Sequence, residues 1–431
     1  MYNNLEYSEA DRRLLKKAVW LYFLLLIFEG ALRKWFLPFL SAPLLIIRDP
    51  IAMWVIYKMW SQNILPVSRL MYGMVALGLA GILTAILFGH GNPFVAFFGA
   101  RVMIVQFPFL FIIGYILNRE DVVAMGRVLA WVSIPMTGLI ILQFYSPQSS
   151  FLNRGAGGVE GLGIGGALGY FRPSGTFSFT TGTQEFYSLL SCFLFYFWFT
   201  PNQINRFVLA LSTIALLVAI PFSISRSLAF QVAINMIVAL FAIARNPEYF
   251  FRIVFGSVVL AIVSVILLNV DVLQHSINAF ASRFKAASTI EGGLEGTITN
   301  RYFGKMLTAF KTALDQPFFG YGIGLGTNAG SALLTGARKF LVAEEEWNRQ
   351  IGELGAFMGI SVIAIRLALS FKMCVYAYFE LRRDNLLPWM FLGLILTSIP
   401  KAQWAQPTTL GFSILMGGLL IAALKVPDKE V

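Results

Sequence analysis

A chain of 431 residues that is 57% hydrophobic and only 13% charged, with a mean hydropathy of +0.71, departs far from soluble domains, where about a quarter of residues are charged. It is read as an all-α polytopic membrane protein. The net charge of +11 has no basic, aromatic-interleaved soluble segment behind it, so nucleic acid is excluded as a partner and the charge is assigned to membrane topology.

A span needs about 20 apolar residues. The sequence offers twelve, near 18–38, 43–60, 69–88, 94–117, 122–144, 184–200, 205–222, 227–244, 252–270, 351–380, 386–400 and 407–424. The charged stretch Glu6–Lys17 runs straight into the first span without a small-residue cleavage site, so that span is expected to stay in the membrane. The organisation is then an N-terminal bundle of about nine spans (1–270), a long polar loop (271–350) and a C-terminal bundle of about three (351–431). With the N-terminus cytoplasmic, that side carries fifteen basic residues and the opposite short connections with the 145–183 loop carry six. Both termini are expected inside and the 271–350 segment outside.

Taken in chain order, the first charges inside spans are Glu29 and Arg33, four apart on one helical face and expected to pair. Arg48 and Asp49 are adjacent and point apart. Arg101 lies about two turns from the outer end of its span, where a charge faces the bundle interior or a wet cavity. It either joins an outer vestibule or pairs with Glu29 or Asp49. The 145–183 loop carries eight glycines between Gly155 and Gly169 and is read as a mobile segment, a lid or a slack connector.

Three arginines stand on the side that the orientation rule disfavours. Arg172 lies in Phe171-Arg172-Pro173-Ser174-Gly175-Thr176-Phe177, Arg226 in the turn Ser225-Arg226-Ser227, and Arg301 in Thr299-Asn300-Arg301-Tyr302. A guanidinium is a fixed fork of donors matched to phosphate oxygens, so such a cluster suits a diphosphate at headgroup level. The competing reading has each arginine touch resident lipid phosphate or pair with a loop carboxylate.

The 271–350 segment gathers Arg301, Lys305, Lys311, Arg338, Lys339 and Arg349 beside Glu344, Glu345 and Glu346. Read as a helix, Glu346, Arg349, Gln350 and Glu353 share a face, which sets carboxylates beside a guanidinium at the membrane edge. One such carboxylate can take a proton from a sugar hydroxyl. The glutamate run is otherwise a solvated helix start. A rearranged loop would bring Glu160 or Glu185 to the same place. The glycines of Gly320–Gly326 follow no strand and are read as a turn that lets backbone come close. Cys192 and Cys374 fall in spans, and His90 and His275 lack ligand spacing, so neither a disulfide nor a metal site is expected.

The order of these motifs resembles the O-antigen ligase and polymerase superfamily over roughly 170–400. The pieces are Arg172 in its Ser-Gly-Thr-Phe stretch, the Ser225-Arg226 turn, Arg301 followed by Asp315-Gln316-Pro317-Phe318-Phe319-Gly320-Tyr321-Gly322, and Glu353-Leu354-Gly355 with Gly359. The opening Phe28-Glu29-Gly30-Ala31-Leu32-Arg33-Lys34-Trp35 is similar to a subgroup of exopolysaccharide polymerases. The resemblance implies a bacterial inner-membrane glycosyltransferase with a GT-C-like fold, inverting, without cofactor or metal, using an undecaprenyl-diphosphate-linked glycan as donor and acceptor. Arg172, Arg226 and Arg301 would hold the diphosphate, with Arg349 and Arg101 in support. The family's ligases carry a histidine about nine residues before the Glu-Leu-Gly motif. Glu344 stands there, so the base role passes to Glu344 or Glu346, with Glu353 the third candidate, and a repeat-unit polymerase is favoured over a ligase. Membrane lipid and a chain-length regulator complete the expected partners. A transporter of a lipid-linked or anionic solute is the alternative from another class, favoured by polar residues running deep through the spans.

Overall fold

The computed structural model describes residues 9–200, 202–243, 270–291, 304–336 and 341–425. The predicted span near 252–270, except its last residue, lies outside the described residues, as do Arg301, Arg338 and Lys339. The described chain is almost entirely helical. Among the described residues five helices are long and apolar enough to cross a membrane: Pro38–Ser61, Arg69–Leu87, Pro93–Ile116, Arg119–Tyr145 and Glu346–Leu381. Four shorter apolar helices accompany them. Leu79, Leu83, Phe357 and Phe371 stand exposed on helix flanks, as expected of surfaces whose solvent is hydrocarbon.

Helix α1 (Glu9–Ala31) opens with Glu9 and Asp11 at its positive end and passes into a π-turn, Leu32–Phe36. Helix α2 (Arg48–Ser61) returns, and α3 (Arg69–Leu87) goes back again. The next run is α4 (Pro93–Arg101), a π-turn over Val102–Gln106, and α5 (Phe107–Ile116). Helix α6 (Arg119–Tyr145), started by a reciprocal Asn118–Asp121 capping box, is about 40 Å long. After the 145–183 loop come α7 (Thr180–Phe199), α8 (Arg206–Phe222), α9 (Arg226–Ile243) and α10 (Asp271–Glu291). Short helices α11 (Lys305–Lys311) and α12 (Asn328–Thr335) precede the 36-residue α13 (Glu346–Leu381).

The predicted span near 386–400 is divided into α14 (Leu386–Met390) and α15 (Leu392–Lys401), and α16 (Pro407–Ala423) closes the bundle. Small residues let α16 lie directly on α5. A Cβ at Gly114 would come 2.5 Å from Ile421, and one at Gly417 2.4 Å from Leu110.

Contacts define the two ends of the bundle. At one end Lys16 pairs with Asp121 at 2.6 Å, Lys58 with Asp11 at 3.2 Å, and Lys425 Nζ donates to Leu117 O at 2.7 Å, so the first and last described helices begin and finish together. The other end collects the 145–183 loop, the 317–330 segment and the 402–406 connection.

The 145–183 loop is tied along its length. Strands β1 (Ile164–Ala167) and β2 (Tyr170–Arg172) form an antiparallel hairpin with Ile164 opposite Arg172, closed by Leu168 and Gly169, both at positive φ. Its partners come from the end of α1. Lys34 Nζ donates to Gly175 O at 2.6 Å and Ser174 Oγ at 3.1 Å, Arg33 to Ser178 Oγ at 3.0 Å, and Thr176 Oγ1 to Ile27 O at 2.7 Å. Gly30 admits this contact, since a Cβ there would sit 2.3 Å from Ser178 N. Within the loop a Cβ at Gly166 would lie 2.7 Å from Tyr170 O, so the glycine count that reads as mobility serves close backbone approach in part, and charged residues of the Glu29–Trp35 stretch hold the loop.

Candidate functional site

The hairpin brings two of the three predicted arginines together. Arg172 ends β2, Arg226 begins α9, and Arg172 lies within electrostatic reach of both Arg226 and Arg283 on α10. Arg283 Nη1 donates to Gly166 O at 2.9 Å, which docks α10 on the hairpin. Burial, with Arg283 and Arg226 adding repulsion, lowers the Arg172 pKa to about 10. The Arg172 Nε is buried without a hydrogen-bond partner. Like charges gathered and partly desolvated are what an anion site requires. Arg301 lies outside the described residues. Arg283 is not singled out by the sequence; its only signal is a basic residue in the island at a helical position.

The acidic candidates have a different setting. Gly355, at φ 77° and ψ 170°, turns α13 sharply, so that Glu346–Leu354 folds back along the rest of the helix. A Cβ at Gly359 would lie 2.6 Å from Ile351 Cα, which shows how closely the two arms pack. The glycines of the 320–326 turn fit against this hinge: Tyr321 N donates to Gly352 O at 2.8 Å and Gly322 N to Glu353 O at 3.0 Å.

The fold-back buries Glu346, Arg349, Gln350 and Glu353 on one face against Arg366. Glu346 Oε1 accepts from Arg349 Nη2 at 2.9 Å, from Gln350 Nε2 at 3.1 Å and from Arg366 Nη1, while Oε2 accepts from Arg349 Nε at 3.1 Å. Glu353 accepts from Arg349 Nη1 at 2.6 Å and from Gly326 N at 2.7 Å. Arg366, fully buried, also donates to Ile399 O and Ala402 O and lies 3.8 Å over the Trp404 ring. Two carboxylates meet two guanidiniums, and each of the four carboxylate oxygens accepts at least one hydrogen bond. Glu344 is exposed, its carbonyl accepting from Gln403 Nε2 at 2.7 Å. Arg366 is visible beforehand only as a lone arginine in an apolar span, a signal the sequence reading did not use.

A second buried network resolves the charges of the N-terminal spans. Glu29 takes Arg33 and Arg48, at 3.5 and 3.0 Å, and Asp49 takes Arg101 and Gln106. Arg101 thus pairs with Asp49, one of the two alternatives. Its Nε is buried and unpartnered beside a narrow cleft lined by Arg48, Asp49, Gln106 and Pro407.

One carboxylate of the interior belongs to neither network. Glu185, one and a half turns into α7, is 8% exposed, and its Oε2 has no hydrogen-bond partner. It heads a polar strip in which Asn235 Nδ2 donates to Ser188 O at 3.1 Å and Ser191 Oγ at 2.8 Å, and Thr397 Oγ1 donates to Gln231 Oε1 at 2.7 Å. Comparison with protein-family models, with curated proteins and with solved structures finds no match to this chain. The arrangement itself can do two things: hold a bulky anion at the hairpin, and accept a proton a short way beneath it.

Proposed function

We propose that this chain is an integral-membrane glycosyltransferase of the O-antigen polymerase type, joining undecaprenyl-diphosphate-linked oligosaccharide repeat units into a surface polysaccharide. The observation that carries this reading is the arginine group at the hairpin: Arg172 is partly buried, an unpartnered Nε is aimed from it, and Arg226 and Arg283 reinforce rather than cancel its charge. A departing lipid diphosphate is such an anion. Negative charge develops on it as the bond to the sugar breaks, and fixed guanidinium donors stabilise that charge without a general acid. On this reading Arg172, Arg226 and Arg301 hold the diphosphate and Arg283 joins them. The protein has about twelve spans in a GT-C-like bundle in the bacterial inner membrane, with both termini cytoplasmic and the long loop periplasmic. The chemistry is inverting and metal-independent.

A transporter reading is favoured by the strip through Ser188, Ser191, Gln231 and Asn235, which carries polar groups inward along α7 and α9. Against it, α7 continues beyond the strip with buried Cys192, Phe193 and Phe197.

The test is a gel of products from reconstituted protein given undecaprenyl-diphosphate oligosaccharide, with Arg172→Gln beside the parent. A ladder of lengthened glycans made by the parent and lost in the variant supports the polymerase. Transfer only after addition of a different acceptor, another lipid or a protein, would indicate a ligase. Movement of the lipid-linked substrate across the vesicle without any new glycosidic bond would overturn the enzyme reading.

A further inference from the structure

We propose that Glu185 is the base that takes the proton from the attacking sugar hydroxyl; this rests on the glycosyltransferase reading and deepens it. A general base must keep a lone pair open toward its substrate. In Glu346 and Glu353 both carboxylate oxygens are already engaged, by Arg349, Arg366, Gln350 or the Gly326 amide, and both side chains are sealed from solvent, while Glu29 and Asp49 are bound by arginines in the N-terminal network. Glu344 is exposed, where a carboxylate is fully solvated.

Glu185 differs in each respect. Its side chain is buried, and Oε2 makes no hydrogen bond. The buried Ser188 Oγ one turn further on is likewise unpartnered, so neither polar atom is consumed by the other. A buried carboxylate left in this state opposes folding, because its charge is desolvated without compensation. Strain of that kind is retained where it serves chemistry.

Its position suits the proposed donor. Thr183, two residues before it, donates to Pro173 O, the residue after Arg172. Helices α7 and α9 run side by side in one direction, joined by Asn235 to Ser188 and Ser191, so Arg226 at the head of α9 is level with the head of α7. Glu185 is then about 7 Å along the axis beneath the arginines, at 1.5 Å per residue. A diphosphate held by the arginines would place the sugar it carries near this depth.

The step balances simply. The acceptor hydroxyl oxygen bonds to C1 of the donor's reducing-end sugar while its proton passes to Glu185. The C1–O bond to phosphate breaks and its electron pair leaves with the lipid diphosphate. Glu185 then returns the proton to water.

The experiment compares parent, Glu185→Gln and Glu185→Asp, each reconstituted, for polymer formation rate, donor KM and melting temperature. Expected for Glu185→Gln is a loss of at least ~100-fold in kcat, in line with general-base removal, with donor KM within about twofold and a melting temperature equal to or above the parent's, since an unpaired charge is removed. Glu185→Asp should keep more activity than the Gln variant. A Gln variant that polymerises within about threefold of the parent overturns the assignment and leaves the glycosyltransferase reading standing. So does a Gln variant that loses its fold, because the carboxylate would then be structural. A parent protein that makes no glycosidic bond with any lipid-linked repeat overturns the reading, and the assignment with it.

Discussion

The Glu346 network and the arginine group at the hairpin are both charged, the first buried and the second half-buried, and they are built on opposite principles. In the first, Glu346 and Glu353 meet Arg349 and Arg366, and the remaining polar valences of Arg366 go to the Ile399 and Ala402 carbonyls. In the second, Arg172 has Arg226 and Arg283 as neighbours, and its own charge is disfavoured by them. Closed charge holds a bent helix in place; gathered charge leaves the buried Arg172 Nε without a hydrogen-bond partner. Carboxylate-guanidinium proximity reads in sequence as a catalytic pair; here Glu346 and Glu353 are both engaged by guanidinium donors.

The largest expected effect is on the closed network. Glu346→Ala leaves Arg349 and Arg366 buried without their shared partner, and breaking a buried pair in this way costs about 3–5 kcal/mol. A large fall in melting temperature in detergent is the expected result. Glu346→Gln, which retains the shape and one acceptor oxygen, should fall less. A Glu346→Gln protein with the parent's melting temperature that nevertheless makes no polymer would break the comparison, since the closed network would then carry chemistry.

Next comes Arg172→Gln, where stability and activity should part. The folded pKa of Arg172, about 10, lies below its ordinary value of 12.5, so the unfolded chain holds this proton more tightly. Charging Arg172 therefore opposes folding at every pH below about 10, and the penalty fades as pH rises from there toward 12.5. Removing the charge should raise the melting temperature at pH 7.5 by the equivalent of no more than about 3 kcal/mol, from a shift worth about 1.4 kcal/mol per pH unit. Polymer formation should drop by about 100-fold or more. A lower melting temperature in Arg172→Gln would mean that the guanidinium is a structural tie.

Third is Gly30→Ala. The added methyl meets Ser178 N at 2.3 Å and Thr176 O at 2.5 Å, both backbone atoms, so the loop bearing Arg172 must move. Overpacking of this kind costs about 1–3 kcal/mol. Donor KM should rise more than kcat falls, because the substitution displaces the arginine without removing it. Unchanged donor KM would show that the α1 contact does not position the hairpin.

How far the sequence reached depends on the range of the interaction. Composition settles the membrane class, and helical spacing correctly sets Glu346, Arg349, Gln350 and Glu353 on one face and Glu29 beside Arg33. These are neighbours within two turns. The fold-back at Gly355 was not legible, because 346–381 reads as an apolar helix and the hinge depends on Phe318–Gly322 packing against it. Arg366 could not be linked to Glu346 without that turn. Glu185 is one carboxylate in a span until α9 and α15 show which neighbours do not pair with it. The span near 386–400 is broken at Phe391, between two short helices, where sequence hydropathy is continuous.

The smallest effect is expected at the far end of the bundle, and it bounds the comparison from the other side. Asp11 is half-buried at the surface, and its hydrogen bonds from Lys58 and Gln62 hold its carboxyl below the ordinary value of 3.8. A depressed carboxylate stabilises the fold above its unfolded pKa and loses that contribution as pH falls through the lower folded value. Asp11→Asn should therefore lower the melting temperature slightly at pH 7.5, and the difference from the parent should vanish on titration below pH 3.8. High salt should shrink the difference as well, because surface pairs are screened. Polymer formation should not change, since the pair ties α1 to α2 at the end opposite the hairpin. If Asp11→Asn reduced polymer formation while leaving the melting temperature alone, charge at this end would also serve the reaction, and the division between closed and gathered charge would no longer locate the site.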